Sequence, residues 1–215
     1  MVAPALKTVA ARLANREFTT AEAGAMLGMD VTEVNNLIDE IASLGVASAG
    51  RGRRSVSYRG LFAMLVAKEL IHCQLNPGMR PRTLEHALVA KGKRVAVPGT
   101  NLEVLVGPYR KQVNHGLRML HEAEAAIESR RDVMQGEPCI KGTRVPAYIV
   151  AAIAMKHGID EAMATYPSVD KRKVELAQLY AKAHPRMGRP KRTALPGRGR
   201  IVSQKIIKRK PTGRG

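Results

Sequence analysis

The sequence predicts a mainly α protein. It divides into an N-terminal winged helix-turn-helix over residues 1–75, a helical linker with a short β element over 76–127, a compact three-helix unit over 128–185 and a disordered basic tail over 186–215. Three observations lead there. Two capped helix starts lie eleven residues apart near the N-terminus, and two longer helical patterns flank an extended piece in the middle. The segment 186–215 holds eleven Lys and Arg and no Asp or Glu. At 215 residues the chain suits one large domain or two small ones, long enough to bury a sizeable core.

The first helix start is Thr19-Thr20-Ala21-Glu22 and the second is Asp30-Val31-Thr32-Glu33, each with a capping residue three positions before a Glu. Ala23, Met26 and Leu27 share a face of the first helix, and Gly28-Met29 breaks it. Val34, Leu37, Ile38, Ile41 and Leu44 then recur at spacings of three and four. A short helix, a Gly-containing turn and a longer amphipathic helix make a helix-turn-helix pattern. The exposed face of its second helix offers Thr32, Asn35 and Asn36 for DNA, Asn being suited to a bidentate contact with adenine. Glu33 and Asp39 on the same helix have to point away from DNA.

After Leu44, Val46–Ser48 and Ser55–Tyr58 read as two short strands around Gly50-Arg51-Gly52. This wing carries Arg51, Arg53 and Arg54, and guanidinium groups suit phosphates or a narrow minor groove. The N-terminal half resembles the winged DNA-binding domains of MerR-like regulators. An ordinary helical hairpin followed by solvated loop arginines fits the same pattern.

In the middle segment, Leu61–Leu75 is an apolar helical run too short to span a bilayer, ended by Asn76-Pro77-Gly78. A helix around 81–91 and extended pieces at 94–97 and 101–106 follow. Tyr109, Val113, Leu117, Leu120 and Ile127 then mark a long amphipathic helix whose stripe suits a linker or a dimerisation scaffold. His72, His86, His115 and His121 have no metal-ligand spacing, and Cys73 and Cys139 are too far apart for a zinc or disulfide framework. No metal and no cofactor are expected.

Beyond Ile127, the glycines and prolines of the run 136–146, GEPCIKGTRVP, force turns around a strand-like Cys139-Ile140. Three short helices follow, and Lys171, Arg172 and Lys173 open the last, giving a second helix-turn-helix-like candidate for DNA. This motif, with His157-Gly158-Ile159 and Tyr166-Pro167, resembles a small bacterial domain family long catalogued as being of unknown function and found in antitoxins of VapBC-like toxin–antitoxin systems. The likeness covers about residues 128–184, and the joined N-terminal half resembles the longer VapB-type antitoxins. It implies a partner toxin with a PIN-type ribonuclease fold, and repression of the operon by DNA binding. The family gives Cys139 no chemistry, and its place between Pro138 and Ile140 suggests a small buried side chain. Arg144 reads as a structural group bonding turn carbonyls or an acidic neighbour.

The net charge of +18, from 36 Lys and Arg against 18 Asp and Glu, selects polyanionic or acidic partners, yet the segment 1–185 accounts for only +7 of it. The tail lacks the apolar content to offset its own ordering entropy. A PIN-type active site is a pocket of carboxylates, so the resemblance points the tail at the toxin. Arg198 or Arg200 would reach the carboxylates, Ile201, Val202, Ile206 and Ile207 would fill an apolar groove, and Lys208 and Arg209 would add charge. A clamp on DNA phosphates is the rival use. No run spans a membrane and the opening residues do not read as a signal peptide, so a cytoplasmic homodimer that is not an enzyme is expected. The alternative is a MerR-like transcriptional regulator with a ligand-sensing C-terminal domain and no toxin.

Overall fold

Thr19 has extended backbone and its hydroxyl accepts from the Glu22 amide, while the Glu22 carboxylate accepts from the Thr19 amide at 2.7 Å, so the first helix opens on a complete capping box. That helix, α1, runs Thr20–Leu27 and stops at Gly28, whose φ of 70° is left-handed. Asp30 caps α2 (Val31–Ile41) by accepting from the Glu33 amide at 2.8 Å. The structure, a computed structural model, describes residues 16–49 and 54–186.

Around the helix pair lies a three-stranded antiparallel sheet of β1 (Glu17–Thr19), β2 (Ala47–Ser48) and β3 (Ser55–Ser57), in the order β1-β3-β2. Phe18 and Ala47 both pair with Val56, which puts the fully buried Val56 at the centre of the sheet with the fully buried Phe18 beside it on an edge strand. The expected strand pair is present, and β1 adds a strand too short to announce itself in sequence.

Ser57 caps α3 (Tyr58–His72) by accepting from the Gly60 amide. This start precedes the apolar run that begins at Leu61, and the helix ends before Gln74, whose φ is 54°. From Gly60 to Ala67 α3 is buried on every side, which is why its sequence shows almost no polar face. Next come α4 (Arg80–Val89), the hairpin strands β4 (Arg94–Ala96) and β5 (Glu103–Leu105), and the long helix α5 (Gly107–Ala126). Their Leu84, Val95, Val106, Val113, Leu117 and Leu120 share one core with Phe18, Ile38, Leu61 and Met64. Segment 76–127 is therefore packed into the N-terminal core as well as leading out of it.

The C-terminal motif folds as a tight loop on a two-stranded pair, β6 (Ile127–Glu128) and β7 (Cys139–Ile140). Gly142, at a φ of 75°, donates its amide to the Glu128 carboxylate, and Thr143 Oγ1 donates to the Ile140 carbonyl at 2.7 Å. Three helices, α6 (Ala147–His157), α7 (Ile159–Thr165) and α8 (Lys171–Ala183), close a second core around Ile127, Ile140, Val150, Ile153 and Val174. Cys139 is fully buried, as the sequence suggests, while Arg144 is exposed. The last turn of α8 places Ala183 in the first core, so this helix belongs to both. Among the described residues no helix is long and apolar enough to cross a membrane.

Candidate nucleic-acid interface

Amphipathic spacing buries Val34, Leu37, Ile38 and Ile41 of α2 and turns Val31, Thr32, Asn36 and Asp39 outward. Asn35 is half-buried; its side-chain oxygen is enclosed without a partner among the described residues, and its backbone carbonyl accepts from Arg54 at 3.0 Å. Asn36 is thus the fully presented amide of the pair.

Three carboxylates on this helix would repel DNA, and each has a cation beside it. Glu33 meets Lys68 of α3 at 2.7 Å, Asp39 meets Arg54 at 3.0 Å and Glu40 meets Arg80 at 3.7 Å. Such exposed pairs add little stability. Their effect is on the local field, since they offset acidic charge that sequence alone can only require to point away.

Arg54 stands at the foot of the β2–β3 pair, just before β3. Its guanidinium ties the base of the β2–β3 pair to α2 through Asp39 and the Asn35 carbonyl, so it braces those strands against the helix. Arg51 and Arg53 lie outside the described residues, as do Arg198, Arg200, Ile201, Val202, Ile206, Ile207, Lys208 and Arg209.

On α8, Lys171 is exposed, but Arg172 forms a two-pronged pair with Glu122 of α5 at 2.5 and 3.0 Å, which holds the Glu122 carboxyl below its ordinary range. Lys173 reaches Asp170 at 3.5 Å. With α8 packed against α1, α5 and α6, the first turn of α8 is engaged in holding helices together. Between the two candidates, α2 is the helix with an open polar face.

Behind α1 sits a charged junction that the sequence does not disclose, because Arg16 and His184 stand near opposite ends of the described chain. Arg16 bonds Glu22 at 2.5 Å and Glu124 at 2.9 Å, and His184 Nε2 lies 3.4 Å from Glu124. The Glu124 carboxyl is held down to about 2, first by His184 and then by Arg16, against the opposing effect of burial. Glu22, Glu124 and His184 offer ligand atoms within 4.8 Å of one another. The Arg16 guanidinium already supplies the positive charge such a trio would draw from a cation. Arg186, where the described chain ends, lies over the Tyr148 ring at 4.2 Å and pairs with Glu137.

A helical protein with two cores, a capped helix pair at one end and a tight Gly/Pro motif at the other defines the class. The chain belongs to the family of the uncharacterized protein y4eO of Sinorhizobium fredii (strain NBRC 101917 / NGR234), to which it is 32% identical over 164 residues, 75% of this chain and 71% of that one. Residues 127–181 match the model described as "Protein of unknown function (DUF433)", which coincides with the second core. No solved structure matches the chain.

Proposed function

We propose that this chain is the antitoxin of a VapBC-like toxin–antitoxin system. In this reading α1, its turn, α2 and the β2–β3 pair act as a MerR-like winged helix-turn-helix that binds operator DNA. Residues 128–185 act as the antitoxin domain, and the basic tail neutralises a PIN-type ribonuclease. The observation that carries the DNA half is the pairing of Glu33, Asp39 and Glu40 with cations around an exposed Thr32 and Asn36. The toxin half rests on the motif resemblance and on eleven cations without an anion in residues 186–215, the complement of a carboxylate active site. The reading includes a homodimer, since two-fold operators mirror dimeric readers, acting in the cytoplasm where operon and toxin would meet.

Co-expression with the neighbouring gene product tests it: the two proteins copurify and growth is rescued. Truncation after Arg186 separates the roles of the tail. Rescue is lost while DNA affinity and its salt dependence stay close to those of the full chain; the reverse outcome assigns the tail to DNA. A ligand-sensing regulator is the second reading, favoured by a cavity of about 400 Å³ where Gln112, His115, Gln178 and Lys182 converge beside Gly28. Normal growth on expressing the neighbour alone would select it.

A further inference from the structure

The β4–β5 hairpin has one covered edge and one open one. Val106 donates to the Lys93 carbonyl and Val97 to the Leu102 carbonyl, so Lys93–Val106, Val95–Val104 and Val97–Leu102 are the hydrogen-bonded pairs. The amides and carbonyls of Glu103 and Leu105 accordingly point outward from β5. The sheet has two strands among the described residues, and β4 is the one that packs beside α4. An unpaired strand edge is a template for another strand.

Beside that edge runs a groove of about 320 Å³ between β5 and the C-terminal end of α3. Leu70, Leu75, Val104, Leu105 and Tyr109 form its apolar wall, and Leu102 and Leu105 are more than half exposed. Two carboxylates, Glu69 and Glu103, line it, Glu103 also meeting Arg94 of β4 at 3.5 Å, and no Lys or Arg is among the lining residues, in a chain with twice as many cations as anions. The Tyr109 phenol is pushed up to about 12 by its burial there and by its bond to Glu69. A strand edge, apolar wall and acidic lining together ask for an extended segment that is both β-branched and basic.

The chain contains one such segment. Residues 200–210, RIVSQKIIKRK, intersperse β-branched residues with cations. Reach allows it: Arg186 lies two residues beyond His184, which meets Glu124 at one end of α5, and Tyr109 stands at the other end, about 22 Å away at 1.5 Å per residue. The fifteen residues from 186 to 201 span up to roughly 50 Å when extended. We propose that residues 201–207 add to β5 as an antiparallel or parallel strand, with Ile side chains in the groove and flanking Lys and Arg beside Glu69 and Glu103. This seat goes beyond the antitoxin reading and does not depend on it. Where a toxin exists, groove and toxin compete for the same segment, so the tail is held until a stronger partner arrives.

Hydrogen exchange on the full chain, without any partner, tests the seat. In the wild type the outward amides of Glu103 and Leu105 exchange at least tenfold more slowly than in the double variant Ile206→Asp, Ile207→Asp, while the internally paired Val104 amide is alike in both and reports an intact hairpin. Glu69→Gln with Glu103→Gln gives intermediate protection, and added salt lowers the protection of the wild type more than that of this variant. Equal exchange at Glu103 and Leu105 in wild type and double variant overturns the proposal. Protection that survives the double variant but disappears on dilution also overturns it, by giving the edge to a second copy.

Discussion

Glu124 concentrates more of the tertiary structure than any other single carboxylate described, because Arg16 arrives from just before β1 and His184 from the end of α8. Its carboxyl sits near 2, below its ordinary 4.5, so the folded state prefers the charged form. The sign follows: this contribution is complete above about pH 4.5 and is lost as pH falls toward 2. Glu124→Gln therefore lowers the melting temperature at pH 7, and the gap between wild type and variant narrows across that window. A gap independent of pH would place the effect of the variant in packing. Gly116 makes the second residue-scale case. A Cβ there would stand 2.5 Å from the Met26 carbonyl oxygen, and backbone cannot yield as a side-chain tip does. Gly116→Ala pushes α5 off α1 and costs about 1–3 kcal/mol, seen as a fall of several degrees in thermal unfolding. Gly92→Ala, whose Cβ meets nothing nearer than 3.5 Å, is the matched control and leaves the midpoint nearly unchanged.

At the scale of elements, what can be read from sequence is what depends on neighbours in the chain. The caps at Thr19, Asp30 and Asp170 lie within three residues of their partners, and the period of α2 is a local pattern. The ends of α3 are obscured because a helix buried on all sides loses the polar–apolar alternation that marks its limits, leaving the Ser57 cap as the true signal. Strand β1 is hidden for another reason: Glu17–Thr19 becomes a strand only by pairing with Ser55–Ser57, on the far side of the helix pair. The candidate reading face splits the same way. Thr32 and Asn36 are legible, whereas the cations beside Glu33, Asp39 and Glu40 come from other parts of the chain, at Lys68, Arg54 and Arg80. For α2 as the reading element, Asn36→Ala weakens binding to the preferred operator about tenfold, the loss of one bidentate base contact, and scarcely changes binding to random duplex. Arg54→Ala, by releasing the β2–β3 pair from α2, weakens both. Anisotropy titrations against the two duplexes make the comparison, and a uniform loss from Asn36→Ala would remove it from base reading.

For the whole molecule, the two cores do not correspond to two independent bodies, because α8 contributes to each. Val174 and Ala177 lie in the C-terminal core, Ala183 lies in the N-terminal one, and Arg172 of its first turn is clamped to Glu122 of α5. Composition divides the chain by charge, setting a modestly basic fold apart from a strongly basic tail, and that division says nothing about how the folded halves join. Joining them takes long-range contacts: Arg16 to Glu124 across 108 positions, and Arg172 to Glu122 across 50. A helix shared in this way couples the folding of each half to the other, since releasing α8 uncovers apolar surface in both cores at once. Calorimetry should then record one cooperative transition for the full chain, with the van't Hoff and calorimetric enthalpies in agreement. Ala183→Asp puts a charge into the N-terminal core from the C-terminal helix. It should lower that single transition as a unit, by roughly 3–5 kcal/mol for an uncompensated buried charge. If instead the variant splits the endotherm, leaving a C-terminal transition at its original temperature, the halves unfold separately and α8 is a contact between them.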